Sequence, residues 1–116
     1  MGGWNQAQAH AQFVVDVVDH GMSIQQALEA GRFTKNTFEG CDVEIESSVP
    51  EQVRAQLGEL GHKLEVRPPR TPNFGYGQAV IYDARTGVKF GASDPRHDGE
   101  AIPVPPPVFE PARERR

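Results

Sequence analysis

A single cysteine, Cys41, among 116 residues excludes an internal disulfide framework, a CxxC redox pair and a zinc knuckle. Long apolar runs are missing too. No stretch approaches the ~20 consecutive apolar residues that cross a bilayer, and the first residues lack the basic and apolar regions of a secretory leader. If the parent protein is exported, its address is expected upstream, and the compartment stays open. Clustered positive charge is also scarce. The net charge is -4 and the pI near 5.5, and the sole basic cluster is Arg113, Arg115 and Arg116 at the C-terminal end. Such a surface is unsuited to displacing counterions from nucleic acid or anionic lipid. Apolar residues make up only 37% and mean hydropathy is -0.55, low for an autonomous globule. A domain of this size buries only about two thirds of its unfolded surface, so the chain is expected to lean on a partner.

What is present is a succession of short, well-punctuated elements. From Trp4 to about His20 the spacing predicts a helix, with Ala7, Ala11, Val14 and Val18 on an apolar stripe flanked by Val15 and Val17. Gln8, Gln12, Asp16 and Asp19 fall on the opposite, polar side. Gly21 ends that helix. Ser23-Ile24-Gln25-Gln26 reads as a capping box for a second helix through Ala30, closed by Gly31. Asp42 to Glu46 alternates polar and apolar residues, as a half-buried strand does. Ser48-Val49-Pro50-Glu51 opens a third helix by the same capping logic, with Val53, Leu57 and Leu60 inward and Gly61 at its end.

Lys63 to Arg67 forms a second strand, cut off by Pro68 and Pro69. Gln78 to Asp83 and Val88 to Ala92 make a hairpin around Ala84-Arg85-Thr86-Gly87, where Gly87 can take positive φ. The element order is therefore two helices, a strand, a helix and three strands, an α/β (α+β) pattern without internal repeats. From Ile102 onward the Pro-rich and then charged sequence is expected to be a tail, leaving residues 1–101 as the domain.

The start carries the sharpest chemical signal. Gly2-Gly3 precedes the first helix directly, and adjacent glycines let backbone N–H groups approach a ligand carbonyl that any side chain would hold off. The chain thus reads as beginning within a site.

Taken with Gln8 and Gln12, Asp19-His20-Gly21-Met22, Ala27-Leu28-Glu29-Ala30-Gly31-Arg32-Phe33, Leu60-Gly61-His62 and Gly91-Ala92-Ser93-Asp94-Pro95-Arg96, this pair resembles the γ-glutamyltransferase (glutathione hydrolase) family. The likeness covers residues 1 to 101 and is to the C-terminal part of the small subunit; Gly31 departs from the proline often found there. It implies a fragment of the αββα sandwich of N-terminal nucleophile hydrolases, mainly antiparallel. It further implies acyl transfer: an N-terminal threonine attacks the γ-glutamyl amide of glutathione or a relative, and the acyl group passes to water or an amino acid. By the same resemblance Gly2 and Gly3 form the oxyanion site, and no cofactor is implied. The nucleophile and the residues that bind the glutamyl α-carboxylate and α-amine precede the glycine pair in the family. Thr34, Thr37, Thr71 and Thr86 sit in none of the nucleophile contexts. The implied partner is the remainder of the enzyme, the large subunit and the N-terminal part of the small one, and the chain alone is expected to be inactive.

Other chemistry-bearing residues have simpler readings. His10 reads as a hydrogen-bonded, partly buried side chain, while His20 and His62 favour nearby helix C-termini. Asp94, His97, Asp98 and Glu100 match no EF-hand or zinc-protease spacing and read as turn chemistry, and Cys41 as a spectator; the family resemblance, in which this motif is a structural junction, implies a buried ion pair for Arg96. Two alternatives come from other classes. One is a catalytically silent binding or assembly module. The other, more remote, is a DNA-binding helix-turn-helix over Val14 to Phe38, opposed by Asp16, Asp19, Glu29 and Glu39 facing a phosphate backbone.

Overall fold

The computed structural model describes residues 3–104; Gly2 and the expected tail beyond Val104 lie outside the described residues. Helix α1 spans Gln6–Val18, entered through a 3-10 turn at Gly3–Asn5, and its orientation departs from the amphipathic reading. The inward stripe is mixed, with Gln8, Gln12 and Asp16 half-buried beside Ala9, Phe13 and Val17. The Gln8 amide pairs with the Lys35 backbone in both directions, Nε2 donating to the carbonyl at 3.0 Å and Oε1 accepting from N–H at 2.9 Å. Gln12 does the same to Phe33, at 2.9 and 3.0 Å. Each side-chain amide thereby takes the place of a peptide group on a neighbouring strand. Two such pairs outweigh the burial of small apolar groups, so Val14 and Val18 are left 53% and 71% exposed.

The strand served by these glutamines is the two-residue β1, Phe33–Thr34, too short to be legible in the sequence. It pairs antiparallel with β2, Asp42–Glu46, in register Phe33 to Ile45. Strand β3, Lys63–Arg67, lies parallel to β2, with α3, Glu51–Glu59, as the connection. A parallel pair needs such a crossover, and this β-α-β unit is the one departure from antiparallel pairing in the described residues. The second sheet is the antiparallel ribbon of β4, Gln78–Tyr82, and β5, Lys89–Ser93. Its turn is closed by Gly87 at φ 73°, with Asp83 accepting from Arg85 N–H and Thr86 Oγ1. These bonds hold the Asp83 carboxyl below its usual value.

Helix α2, Ile24–Glu29, carries both halves of the expected capping box at Ser23 and Gln26. The expected cap of α3 does not form: Pro50 is the N-cap and makes no side-chain bond, while Ser48 Oγ sits 3.4 Å from Glu46 Oε2. Val53 and Leu60, expected inward, are exposed. The largest apolar cluster is Ile24, Leu28 and Ala92, with Phe13, Val17 and Ala79 packed around them, and Ala27, Ile45 and Phe74 are buried as well. It joins α1 and α2 to one face of the β4–β5 ribbon. Gln25 repeats the glutamine device there, its amide exchanging hydrogen bonds with Ser93 N–H and carbonyl on the β5 edge.

Two measurements check this arrangement. Gln8→Ala combined with Gln12→Ala removes four hydrogen bonds to β1 and should cost about 2 kcal/mol in urea unfolding of the chain, at the low end of their summed net worth because the site is partly exposed. Val14→Ser with Val18→Ser should stay within about 0.5 kcal/mol; the reverse ranking would place the apolar face inward. For Asp83 the folded pKa lies below the unfolded one, so its contribution is present above pH 3.8 and is lost as pH falls through the folded value. Asp83→Asn should therefore flatten hairpin stability between pH 6 and 2, as read by about a dozen ribbon amide shifts on titration.

Candidate functional site

Gly3 has φ 47°, in the left-handed region, and a Cβ built on it meets nothing within 4 Å. The glycine is thus required by backbone conformation, which disfavours any L side chain by about 1–2 kcal/mol, and not by crowding. Its face is open. Two residues later the chain is fastened: Asn5 is buried, its Nδ2 donating to the Phe74 carbonyl at 2.8 Å and its Oδ1 accepting from Thr34 Oγ1 at 2.6 Å.

A cleft of about 680 Å³ runs beside this start, between α1 and the segments flanking the ribbon. Gln6, His10 and Phe13 form one wall, and Tyr76, Gln78, His97 and Asp98 another, with Leu28 and Arg32 at the base. The Tyr76 and His97 rings stack with centroids 4.3 Å apart and planes 22° from parallel. His97 Nδ1 lies 3.1 Å from the Asp98 carbonyl oxygen. His10 is exposed to this cleft, contrary to the partly buried position read from its place on α1. No serine, threonine or cysteine is among the residues lining the cleft.

The base of the cleft is fixed by a buried quartet of charges drawn from three segments. Arg96 grips Glu46 through Nε to Oε1 at 2.9 Å and through its terminal nitrogen to Oε2 at 2.6 Å. Its other terminal nitrogen reaches Asp94 Oδ1 at 3.1 Å, and Arg32 pairs with Asp94 Oδ2 at 2.7 Å. Glu46 and Asp94 are 0% and 1% exposed, so no water is at hand to complete their shells. Backbone donors do so instead: Thr71 and Arg32 N–H to Glu46, Gly77 and Arg96 N–H to Asp94.

The guanidinium groups also terminate α2. Arg96 donates to the Leu28 and Ala30 carbonyls at 2.7 and 2.8 Å, and Arg32 to Leu28 at 3.3 Å and Gly75 at 2.8 Å. A six-residue helix with unpaired C-terminal carbonyls is thereby closed by positive charge where its dipole favours it. Burial, then the neighbouring Arg96, lowers the Arg32 pKa. For Arg96 burial acts the same way but the two-point grip of Glu46 outweighs it, and its pKa is raised. Both stay protonated throughout the working range.

The buried ion pair read for Arg96 is present. Its partner Glu46 is not legible in the alternating strand pattern, which sends polar residues of 42–46 to solvent, nor is Arg32. The signal available was two arginines in separate short motifs, with too few acidic residues in apolar contexts to pair them uniquely. Asp94, read as turn chemistry, is committed to both arginines. The four threonines are each tied locally, Thr34 to Asn5, Thr37 to Glu39 and Asp42, Thr71 to the Pro68 carbonyl and Thr86 to Asp83. Cys41 is exposed.

Glu46→Gln strips the quartet of one negative charge and leaves a buried guanidinium uncompensated, which should cost about 3–5 kcal/mol. In urea unfolding that is enough to unfold a marginal domain. Arg67→Ala, which breaks the half-exposed Glu44 pair, should cost under about 1 kcal/mol in the same assay.

Comparison with known proteins gives consistent results. The gamma-glutamyltranspeptidase family model matches residues 1–104. The acylase ACY 1 proenzyme of Pseudomonas sp. strain V22 is 37% identical over 93 residues, which cover 80% of this chain and 15% of the proenzyme. The glutathione hydrolase-like YwrD proenzyme of Bacillus subtilis is 30% identical over 108 residues, covering 89% of this chain and 20% of the proenzyme. The chain thus spans a fifth or less of the length of these relatives. Among solved structures, cephalosporin acylase from Bacillus halodurans superposes with a TM-score of 0.79 at 36% identity, over 86% of this chain and 18% of that one. The Bacillus anthracis transpeptidase enzyme CapD gives a TM-score of 0.73 at 26% identity, over 90% of this chain and 60% of that one.

Proposed function

The chain belongs to the gamma-glutamyltranspeptidase family, and from that premise we propose that it supplies the oxyanion-site turn and its scaffold to an N-terminal nucleophile hydrolase. The whole enzyme would hydrolyse or transfer the γ-glutamyl group of glutathione and related amides. A threonine on another portion of the enzyme attacks the amide carbonyl, its own α-amine taking the hydroxyl proton. The carbonyl oxygen becomes an oxyanion that needs donors aimed at it, and collapse expels the amine and leaves a γ-glutamyl ester. Water or an amino acid then takes the acyl group. Gly2 and Gly3 are the residues assigned to the donor role.

The observation that carries this reading is Gly3: a left-handed glycine with an open face, held two residues from a buried anchor. Preorganised donors stabilise a developing charge only when they need not reorganise, so a fastened turn suits the role better than a free terminus. The apolar surface left open on both elements that flank the cleft supports a larger assembly. Trp4 is exposed on the turn before α1, Val18 at the end of α1, and Val80, Tyr82 and Phe90 on the ribbon, where the remainder of the enzyme would cover them. A second substrate reading, an amide of the cephalosporin type, is favoured by the higher identity to acylases, 37% and 36%, than to the glutathione hydrolase-like proenzyme, 30%.

The test is reconstitution. Alone, the chain should release no chromophore from a γ-glutamyl anilide, whereas with a separately expressed nucleophile-bearing portion it should turn over. Gly3→Ala in that assembly disfavours the φ of 47° and so shifts the backbone donor off the oxyanion, which should lower kcat by up to about 10²–10³, the effect of losing one such donor. Turnover by the chain alone would refute the missing-nucleophile argument. Continued silence on mixing would favour an assembly module without catalytic role.

A further inference from the structure

We propose that Asn5 is a positioning residue for the oxyanion turn, clamping the backbone of Gly3 through one carboxamide to β1 and to the 3-10 turn at Pro72–Phe74. The inference rests on the oxyanion reading above and names the part that would hold those donors still. Asn5 occupies the N-cap of α1, the position where an asparagine side chain ordinarily accepts from the helix's own free N–H groups. It makes no such bond. Instead its Nδ2 donates at 2.8 Å to the carbonyl of Phe74, sixty-nine residues away, and its Oδ1 accepts at 2.6 Å from Thr34 Oγ1.

Both partners are rigid. Phe74 is 0% and Thr34 2% exposed, the first in the 3-10 turn Pro72–Phe74 that leads towards β4 and the second within β1, so one side chain ties β1 to that turn at the point where α1 begins. Asn5, Gln8 and Gln12 fall at i, i+3 and i+7 on a single face, and they bond to residues 34, 35 and 33 in turn. The glutamines fix the helix along β1. Of these three amides, Asn5 alone bonds to Phe74, and it lies two residues from Gly3, whose own lack of a side chain leaves the turn nothing else to pack there. A local cap would have steadied the helix equally well while leaving the glycine backbone free to swing. Geometry held to a fraction of an ångström is what an oxyanion contact demands.

Trp4 stands between Gly3 and Asn5 and is the sole tryptophan, so its fluorescence anisotropy in the full chain reports the order of this turn directly. Asn5→Ala should lower that anisotropy well below the unfolding midpoint, and Thr34→Val, which keeps shape and removes one donor, should lower it less. Unchanged anisotropy in both, with α1 intact by circular dichroism, would overturn the clamp; Thr34→Val and Asn5→Asp serve if Asn5→Ala does not fold. In the reconstituted enzyme Asn5→Ala should lower kcat about tenfold or more with KM nearly constant, since a small misplacement far from bond-breaking is costly. Its effect and that of Gly3→Ala should add to less than their sum, because both act on one donor. If Gly3→Ala slows the enzyme and Asn5→Ala does not, the positioning role is wrong. If neither does, the oxyanion reading itself fails and this inference falls with it.

Discussion

Four buried charges decide how this chain is put together. Arg32, Glu46, Asp94 and Arg96 come from the end of α2, the end of β2 and the segment closing β5, and they neutralise one another where water does not reach. Desolvating such groups is expensive, and the attraction between them offsets that expense only when each lone pair and proton has a partner. Here each carboxylate oxygen has a guanidinium contact and a backbone N–H or a guanidinium and a turn amide, while the arginines also close a helix. Among the described residues the buried apolar side chains are Ile24, Ala27, Leu28, Ile45, Phe74 and Ala92, so this polar junction acts beside hydrophobic burial in fixing how the two sheets meet.

The same junction explains why the cleft has a fixed base. Arg32 lines the cleft yet is committed on its far side to Asp94 and the Gly75 carbonyl, so it serves as wall and not as a free cation for a ligand. Phe74, one residue before that carbonyl, receives the Asn5 amide. Charge quartet, the 3-10 turn at Pro72–Phe74 and the N-terminal clamp are therefore continuous through a few consecutive residues, which ties the proposed oxyanion turn to the quartet.

Much of this was readable from the chain. The capping box at Ser23 and Gln26, the bounds of β2 and β3, the positive φ of Gly61 and Gly87, and the α/β class with its ribbon all follow from local chemistry, which acts over a few residues. The failures share one cause. The inward stripe of α1 takes in Gln8 and Gln12 beside Phe13 and Val17 because those glutamines find backbone partners more than twenty residues away, and periodicity measures only the apolar tally of a face. Glu46 is buried because of an arginine fifty residues on, and an alternating strand pattern assigns it to solvent. β1 has no pattern of its own and exists because β2 and two glutamines flank it. The family likeness was carried by short motifs, two of which contain Arg32 and Arg96, but a motif does not name its partner.

The central claim is that the quartet opens only when the whole domain does. Native-state hydrogen exchange of the four amides that end on its carboxylates, Arg32, Thr71, Gly77 and Arg96, tests it most directly. The account requires all four, from separate segments, to exchange with one free energy equal to that of global unfolding. Exchange of any of them by a local opening far below that value, while the core amides of Leu28 and Ala92 stay protected, would show that the junction is peripheral and contradict the account.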